Sequence, residues 1–405
     1  MNILIIGSGF SPIHNKLKSL GHRLFLIPDP ERKVNIDENN IYEAVHFVVD
    51  AESVESLALD ICADTSIFSI DRVMAFNEKW QLIAARVASY ANLPSILDIE
   101  LVKRTIDKYY MRMHLEVNNF PTVNFERVAN FSSLYGALVR VGFPAILKPL
   151  SGEASRDIYF INDEQTYHQL FGSIENKFDE EFLVESFVCG DEYSIEAVSY
   201  EGQHYILAVT KKFKNDNFIE IGHVLPAPIS SSLEMEIHEY IRKFLTVMQF
   251  NNCPSHTEII MSENGPVVIE SHTRPGGDNI YRLLEFSTGI SLMNLVAKIS
   301  SGSLSKNDLQ VKEDKCFSAI WYSYPEGNEK LILESVTGVD EAKAPSYIKD
   351  ISIMANLGDK ARKVRNSFDR SAYAIATGKN ANEALLNAKN ALSNISFNYK
   401  LVDGD

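Results

Sequence analysis

The sequence has few cysteines and no long apolar segment. Its four cysteines, at positions 62, 189, 253 and 316, form no CxxC pair, which excludes a thiolate metal site and fits a reducing compartment. No apolar run approaches the roughly 18 residues that a membrane helix needs, and the start MNILIIGSGF contains neither a basic leader nor a cleavage site. We therefore expect a cytoplasmic protein without a membrane partner.

Clusters of basic residues are absent as well. The formal net charge is −15, and a negative charge without a basic patch argues against nucleic acid as a partner. A bound nucleotide would therefore depend on a few local lysines and arginines. The length of 405 residues exceeds the size at which one core usually stops growing, which predicts two or three domains.

Short apolar runs alternate with helical stretches, at 52–62 and 78–91, over about the first 95 residues. This alternation predicts a parallel sheet covered by helices. Gly7 and Gly9 follow the first strand and resemble the start of a dinucleotide-binding fingerprint, but Pro12 stands where the third glycine belongs. We expect a tight strand-to-helix turn here rather than a cofactor.

The remaining chain divides into three stretches. One long helix is predicted from Asp98 to about residue 118. After it, a unit of two strands and a helix is repeated around a small-residue loop, and this arrangement predicts a compact lid over about 120–187. Alternating runs after residue 190 predict an antiparallel sheet, followed by a helix at about 231–247. The tail from about 311 mixes strands with a final alanine-rich helix at about 380–394.

Two acidic residues flank a turn in the segment HTEIIMSENGPVVIES, whose β-branched runs predict a hairpin. Glu258 alternates with Ile260, and Glu270 alternates with Val268, so both carboxylates could project into one cleft. Mg²⁺ usually takes one or two carboxylates together with substrate phosphates. The pair therefore predicts a metal and phosphate site. When these residues are considered by themselves, a hairpin with acidic side chains facing solvent explains them equally well.

The loop in AILKPLSGEASRDIYF predicts phosphate binding. A strand delivers Lys148, and a turn of small residues follows with Ser151, Gly152, Ser155 and Arg156. Backbone amides in such a turn can donate to phosphate oxygens, and the lysine supplies a point charge. The loop is not a Walker P-loop because GKS/T is absent, and a plain surface hairpin is the alternative.

The segment FLVESFVCGDEYSIEAV is a connection between two predicted subdomains. A strand ends in Glu185, Ser186, Phe187 and Val188, and the next begins near Glu192. Open backbone groups beside an apolar pair can hold an adenine ring, with Glu192 accepting hydrogen bonds from ribose. A simple hinge between strands is the alternative interpretation.

Glu220 and His223 lie three residues apart in NFIEIGHVLP. A carboxylate and an imidazole this close could orient an ammonium group or move a proton, because the ordinary pKa of histidine is near neutrality. The alternative is a strand-end pair without a role. Lys108 is similarly ambiguous, since most helical lysines are merely solvated, and we expect His114 and His256 to be structural.

Together these motifs resemble the ATP-grasp superfamily and, within it, the L-amino-acid ligases that join two unprotected amino acids. The resemblance covers nearly the whole chain and implies an α/β (α+β) ATP-grasp fold. Its parts would be a Rossmann-like N-terminal domain at 1–97, an ATP-grasp domain at 98–310 that contains the mobile lid, and a biotin carboxylase-like C-terminal subdomain at 311–405.

The resemblance also implies how ATP would be held. Lys108 and Lys148 would contact the phosphates, and the loop Ser151 to Arg156 would close over them. The segment Glu185 to Val188 would bind adenine, and Glu192 would bind ribose.

The metal site departs from the family pattern at one position. Glu258 and Glu270 match the pair that holds Mg²⁺, but His272 replaces the asparagine that commonly follows two residues later. Imidazole is a softer ligand than an amide oxygen and suits Mg²⁺ less well. Either His272 lies outside the metal shell and water replaces it, or the site tolerates Mn²⁺.

Five further residues resemble the amino-acid ligase signature. The resemblance implies that Arg274 stabilises the reacting phosphate, that Glu220 and His223 serve the substrate amine, and that Gly276 and Gly277 contact the substrate. The expected enzyme is an ATP-dependent carboxylate–amine ligase, which joins two amino acids or an amino acid and a related amine through an acyl phosphate and releases ADP and phosphate.

Two alternatives to dipeptide formation remain open. The enzyme could load an amino acid onto a carrier-protein thiol or a larger metabolite, or the chain could be a nucleotide-binding regulator without catalysis. The expected partners are small amino acids, a carrier protein belongs only to the first alternative, and a homodimer is left open.

Overall fold

The computed structural model describes most of the chain. The described residues are 1–31, 40–64, 69–150, 157–175, 178, 181–216, 218–310, 316–325, 331–361, 364 and 366–401. The predicted phosphate-loop residues Ser151, Gly152, Ser155 and Arg156 lie outside them. Among the described helices, none combines the length and the apolar character that crossing a bilayer requires.

The N-terminal part contains the predicted parallel sheet, with strand order β3-β2-β1-β4. Asn77 caps the third helix by accepting a hydrogen bond from the backbone N–H of Lys79. The described elements are β1 (Asn2–Ile6), α1 (Ser11–Ser19), β2 (Arg23–Ile27), β3 (Tyr42–Val45), α2 (Ser53–Ala63), β4 (Arg72–Met74) and α3 (Glu78–Tyr90).

Gly7 makes the turn after β1 for reasons of packing. Its φ angle is 85°, and a Cβ atom added there would lie 2.3 Å from Cδ1 of Trp80 on α3. Only glycine therefore lets α3 approach the turn so closely. This agrees with the predicted strand-to-helix turn.

The predicted single helix after Asp98 is wrong, because Asp107 divides it. Asp107 is extended (φ −99°, ψ 112°), and its carboxylate accepts hydrogen bonds from the N–H groups of Tyr109 and Tyr110. The helix α4 (Ile99–Ile106) ends there, and α5 (Lys108–Val117) begins. An aspartate favours this N-cap geometry over a helix interior.

The lid region has its own antiparallel sheet, with strand order β5-β8-β6-β7 among the described residues. Its core includes Leu134, Leu138, Leu147 and Val184. The elements are β5 (Phe125–Val128), α6 (Phe131–Val141), β6 (Ala145–Pro149), β7 (Tyr159–Ile161), α7 (Glu164–Glu175) and β8 (Phe182–Ser186).

In the described part of the chain, one eight-stranded sheet joins the central and C-terminal parts, in the order β13-β12-β9-β10-β11-β14-β17-β16. A separate ladder pairs β15 with β18. The elements are β9 (Asp191–Tyr200), β10 (Gln203–Lys214), β11 (Glu220–Leu225), α8 (Ser231–Val247), β12 (Cys253–Ser262), β13 (Gly265–His272), α9 (Ile280–Thr288), α10 (Leu292–Ser301), β14 (Phe317–Ser323), β15 (Leu331–Thr337), α11 (Val339–Lys343), β16 (Ile348–Ile353), β17 (Ala372–Gly378), α12 (Ala381–Ser393) and β18 (Ser396–Leu401).

The central antiparallel sheet and the two predicted helices, now α8 and α12, agree with the sequence analysis. The large sheet passes without interruption across the predicted boundary at residue 310. The division into domains at 97 and 310 stays a prediction.

We predict that Gly7→Ala destabilises the protein more than Gly21→Ala. The two glycines have nearly equal φ angles, 85° and 84°, but a Cβ at Gly21 meets nothing within 4 Å. The added methyl group at Gly7 should cost about 1–3 kcal/mol more, the scale for overpacking. Urea unfolding of both variants measures the difference, and equal midpoints would contradict the packing explanation.

Candidate active site

Glu258 and Glu270 face each other directly across β12 and β13. The pairing then shifts by one residue between Glu258 and Ile259, so the strands bulge immediately beyond the acidic pair. Both carboxylates line a cleft of about 310 Å³. The predicted convergence of the two glutamates is therefore observed.

Buried cations compensate the acidic pair. Lys212 contacts Glu258, and the Nζ atom of Lys108 lies 3.4 Å from Oε2 of Glu270. Burial opposes ionisation of both carboxyls, but Lys212 lowers the pKa of Glu258 and Lys108 lowers that of Glu270, in each case well below the ordinary value. Both side chains are ionised at neutral pH.

The donor set fits a hard divalent cation that completes its shell with phosphate and water. Glu258 and Glu270 supply anionic oxygens, and the described residues contain no cluster of three or more histidine, cysteine or acidic side chains arranged to hold a metal. Mg²⁺ is commonly bound by one or two carboxylates and the phosphates of a substrate.

His272 lies beside this pair rather than completing a three-ligand set. Its Nδ1 atom is 2.7 Å from Oε2 of Glu78, and its Nε2 atom is 3.4 Å from Oε1 of Glu270. Burial opposes protonation, but Glu78 raises the pKa of His272. Both ring nitrogens of His272 thus face carboxylates, and its place inside or outside the metal shell stays a prediction.

Glu196, His256 and His272 form a row across β9, β12 and β13, next to the row of metal-site carboxylates. The Nδ1 atom of His256 is 2.5 Å from Oε1 of Glu196, and its Nε2 atom is 3.2 Å from Oε1 of Glu258. Although burial opposes protonation, Glu196 raises the pKa of His256 to about 9. Sequence reasoning missed His256 as a site residue, although its spacing of two from Glu258 puts both side chains on one strand face.

The two glycines of the RPGG segment have different surroundings. The N–H of Gly276 donates to Oε2 of Glu196 at 3.1 Å, and a Cβ there would lie 2.6 Å from Nδ1 of His256. Gly277 is exposed and lines the cleft. Gly276 thus packs against Glu196 and His256, whereas Gly277 is the glycine that a substrate can reach.

Helix α3 of the N-terminal part reaches Arg274. Oε2 of Glu78 lies 3.2 Å from Nε and 3.1 Å from Nη2 of Arg274, and Gln81 exchanges hydrogen bonds with Thr273. Burial opposes ionisation of Glu78, but His272 and Arg274 lower the pKa of Glu78 to about 2. Neither Glu78 nor Gln81 has a sequence motif that identifies it.

A second cavity, of about 90 Å³, lies where the nucleotide is expected. Glu185 is buried there between two cations, with oxygens 2.6 Å from Nε of Arg112 and 2.6 Å from Nζ of Lys148. Its carboxylate therefore orients Lys148 instead of being free to contact adenine. The residues predicted to contact phosphate, adenine and ribose that line this cavity are Lys148, Glu185, Ser186, Phe187, Val188 and Glu192.

Lys212 links the two cavities. Its Nζ atom lies 2.9 Å from Glu192, which lines the nucleotide cavity, and also contacts Glu258 in the cleft. Lys214 forms a second ion pair with Glu192 at 2.6 Å. Both lysines were missed, although the alternation in KKFK at the end of a strand gives them one face.

Glu220 and His223 both line the cleft, but they have different partners. The strand pairing shifts near Glu220, and this irregularity turns two residues that are three apart toward the same space. His223 lies 2.9 Å from Asp278, while Glu220 accepts a hydrogen bond from Ser367 at 2.9 Å.

Arg370 ties this acidic group to the C-terminal part. It donates to both oxygens of Asp278, at 2.6 and 2.8 Å, and to the carbonyl of Glu220 at 3.0 Å. Its guanidinium group also stacks 3.7 Å from the ring centre of Tyr322. Asp278, Ser367 and Arg370 are site residues that sequence reasoning missed.

Two family models match parts of this chain. A family model described as an ATP-grasp domain matches residues 141–281, and one described as L-amino acid ligase C-terminal domain 2 matches residues 332–400. Residues 141–281 therefore form an ATP-grasp domain. The predicted resemblance to L-amino-acid ligases is thereby confirmed, and ATP-grasp ligases use ATP with a divalent metal.

Two named relatives of this chain come from Bacillus subtilis. The alanine–anticapsin ligase is 22% identical over 300 residues, which are 67% of this chain and 63% of that protein. The L-arginine-specific L-amino acid ligase is 22% identical over 336 residues, which are 80% of this chain and 78% of that protein. The chain thus spans less than two thirds of the anticapsin ligase.

Solved structures show the same fold. The L-amino acid ligase from Bacillus licheniformis has a TM-score of 0.82 at 19% identity, over 98% of each chain. The phosphoribosylglycinamide synthetase from Anaerococcus prevotii has a TM-score of 0.73 at 19% identity, over 98% of this chain and 99% of that one. The predicted ATP-grasp fold is confirmed.

We predict that Glu258→Gln and Glu270→Gln each weaken Mn²⁺ binding in the presence of ADP. The loss should exceed about tenfold, the scale for removing even an outer-shell partner of a metal ligand. Electron paramagnetic resonance of free Mn²⁺ measures it. Glu263→Gln, exposed in the turn of the same hairpin, is the matched control, and equal affinities in all three variants would contradict the metal site.

We also predict that Glu196→Gln destabilises the fold, because it removes one of the two buried carboxylates that pair with His256. The expected loss is about 3–5 kcal/mol, the scale for removing one partner of a buried ion pair. Glu201→Gln is the control, since the side chain of Glu201 forms an exposed pair with Lys306 at 3.8 Å. If urea unfolding gives the same stability for both variants, the pair between Glu196 and His256 does not support the fold.

Proposed function

We propose that the protein is an ATP-dependent ligase that joins two amino acids through an acyl phosphate and releases ADP and phosphate. One observation carries this proposal. On β12 and β13, Ile260 and Ile269 line the nucleotide cavity, while Glu258 and Glu270 line the adjoining cleft. The acidic pair therefore lies where a terminal phosphate leaving the first cavity would meet a substrate in the second.

Basic side chains converge on the same point. Lys148 lines the nucleotide cavity, Lys108 lies beside Glu270, and Lys212 spans both spaces. A divalent cation held by Glu258 and Glu270 would supply charge neutralisation for the transferred phosphate. Lys148 and Lys108 would orient the phosphate chain.

The far side of the cleft serves the amino acids. Arg274 would stabilise the acyl phosphate of the first substrate and the oxyanion that forms when the amine attacks. Glu220 would hold the substrate ammonium group by charge pairing. His223 lines the cleft beside Asp278 and would accept a proton from the amine.

The named relatives support a carboxylate–amine ligase more than the alternatives. Both Bacillus subtilis proteins are named as ligases of amino acids or of an amino acid with a related compound. Nothing in these comparisons favours carrier loading or a regulator without catalysis.

The test is release of ADP and phosphate with pairwise mixtures of free amino acids, with AMP measured in parallel. The proposal expects ADP and phosphate in equal amounts with the ligated product. Formation of AMP and pyrophosphate would exclude the acyl-phosphate route, and ADP release only with a carrier protein would favour the first alternative.

We predict that Arg274→Lys lowers kcat by about 10²–10³, the scale for losing one oxyanion donor, while the KM for ATP stays unchanged. Lysine keeps the charge but cannot reproduce the two-pronged guanidinium geometry. Arg86→Lys, on the exposed side of α3 and paired with Glu55, is the control. Equal kcat values for the two variants would remove Arg274 from the mechanism.

A further inference from the structure

Arg112 on helix α5 is completely buried, with 0% of its surface exposed. Arginine is almost never buried this deeply unless its charge is paired and its donors are bonded. Its partners lie on two other elements: Glu185 on the lid strand β8 and the backbone of β13. The reaction steps proposed above do not use this side chain.

The first partner connects Arg112 with the nucleotide cavity. Its Nε atom lies 2.6 Å from Oε1 of Glu185, and Oε2 of the same carboxylate lies 2.6 Å from Nζ of Lys148. Burial opposes ionisation of Glu185, but Arg112 and Lys148 lower the pKa of Glu185 to about 2. Because the two cations share one carboxylate, the position of Lys148 depends on Arg112.

The second partner connects Arg112 with the acidic pair. The pairing of β12 with β13 shifts immediately before Glu270, and Ile269 is the residue that the ladder skips. Nη1 of Arg112 donates to the carbonyl of Val268 at 2.7 Å, and Nη2 makes a longer bond of 3.5 Å to the carbonyl of Ile269. The guanidinium group therefore bonds to the bulge itself, next to Glu270.

The bulge needs donors from outside its own sheet. Strand β13 lies at the edge of the eight-stranded sheet described above, and a buried carbonyl without a donor costs about as much free energy as a lost hydrogen bond. The planar fork of Arg112 reaches both carbonyls while its Nε atom stays paired with Glu185. A lysine, with one compact ammonium group, cannot make all of these contacts.

We propose that Arg112 is a positioning residue that holds the nucleotide lysine, Lys148, and the metal-site residue Glu270 at a fixed separation. It acts through Glu185 on one side and through the bulge on the other. The inference rests on the proposed function for the roles of Lys148 and Glu270, and it adds the residue that couples them. Since Lys148 belongs to the lid and Glu270 to the central sheet, loss of Arg112 would let the two move independently.

The experiment measures two affinities in Arg112→Lys and Glu185→Gln. Isothermal titration gives the affinity for ADP in excess EDTA, and electron paramagnetic resonance gives the affinity for Mn²⁺ at saturating ADP. Arg112→Lys should lower both by about tenfold or more, the scale for removing an outer-shell partner. Glu185→Gln should weaken ADP binding but leave Mn²⁺ affinity close to the wild-type value, because the bonds from Arg112 to the bulge remain.

Arg104→Lys is the matched control. Arg104 lies on the neighbouring helix α4 and also donates to a backbone carbonyl, that of Met248, at 3.2 Å. It lines neither the nucleotide cavity nor the cleft. Both affinities should therefore stay at the wild-type values in this variant.

The outcomes separate this inference from the proposed function. Wild-type affinities in Arg112→Lys, or an equal loss of Mn²⁺ affinity in Arg112→Lys and Glu185→Gln, would overturn the positioning role. Thermal unfolding checks each variant, and if Arg112→Lys does not fold, an unchanged ADP affinity in Glu185→Gln overturns the role instead. Neither measurement requires turnover, so a wild-type protein that binds both ligands but releases no ADP would contradict only the proposed function.

Discussion

The ionised pair formed by Glu258 and Glu270 is the constraint on which the rest of the site depends. Two buried carboxylates on adjacent strands repel each other and lose hydration, so they persist only where opposite charge surrounds them. Lys212 and Lys108 supply that charge in this structure. Under the proposed function, a bound metal and phosphates would replace some of these buried ion pairs.

Three parts of the chain converge on the cleft that contains this pair. Helix α3 brings Glu78 to His272 and Arg274, α5 brings Lys108, and the segment at 367–370 brings Ser367 and Arg370. Each contributes a charge or a hydrogen bond that the central strands lack. The cleft is therefore completed by sequence regions far from the acidic hairpin.

Small irregularities in strand pairing shape the two cavities. The shift after Glu258 allows Ile260 and Ile269 to line the nucleotide cavity, while the shift near Glu220 brings Glu220 and His223 into the cleft together. A regular strand would alternate these side chains between opposite faces. The bulges thus allow apolar side chains to line the nucleotide cavity and charged side chains to line the cleft within a few residues of the same strands.

Local patterns in the sequence were enough to predict the parallel N-terminal sheet, the lid elements and the facing glutamates, because alternation and turn composition act over a few residues. The superfamily was indicated by the resemblance of the motifs to a known family. It could not identify Glu196, His256, Lys212 or Arg370, whose roles arise from neighbours across the sheet or from distant segments. The break at Asp107 was also missed, since a capping aspartate within an amphipathic pattern is hard to distinguish from an exposed helical one. The order of the strands and the meeting of the N- and C-terminal parts at the cleft were decided by tertiary packing, which sets partners that no local pattern encodes.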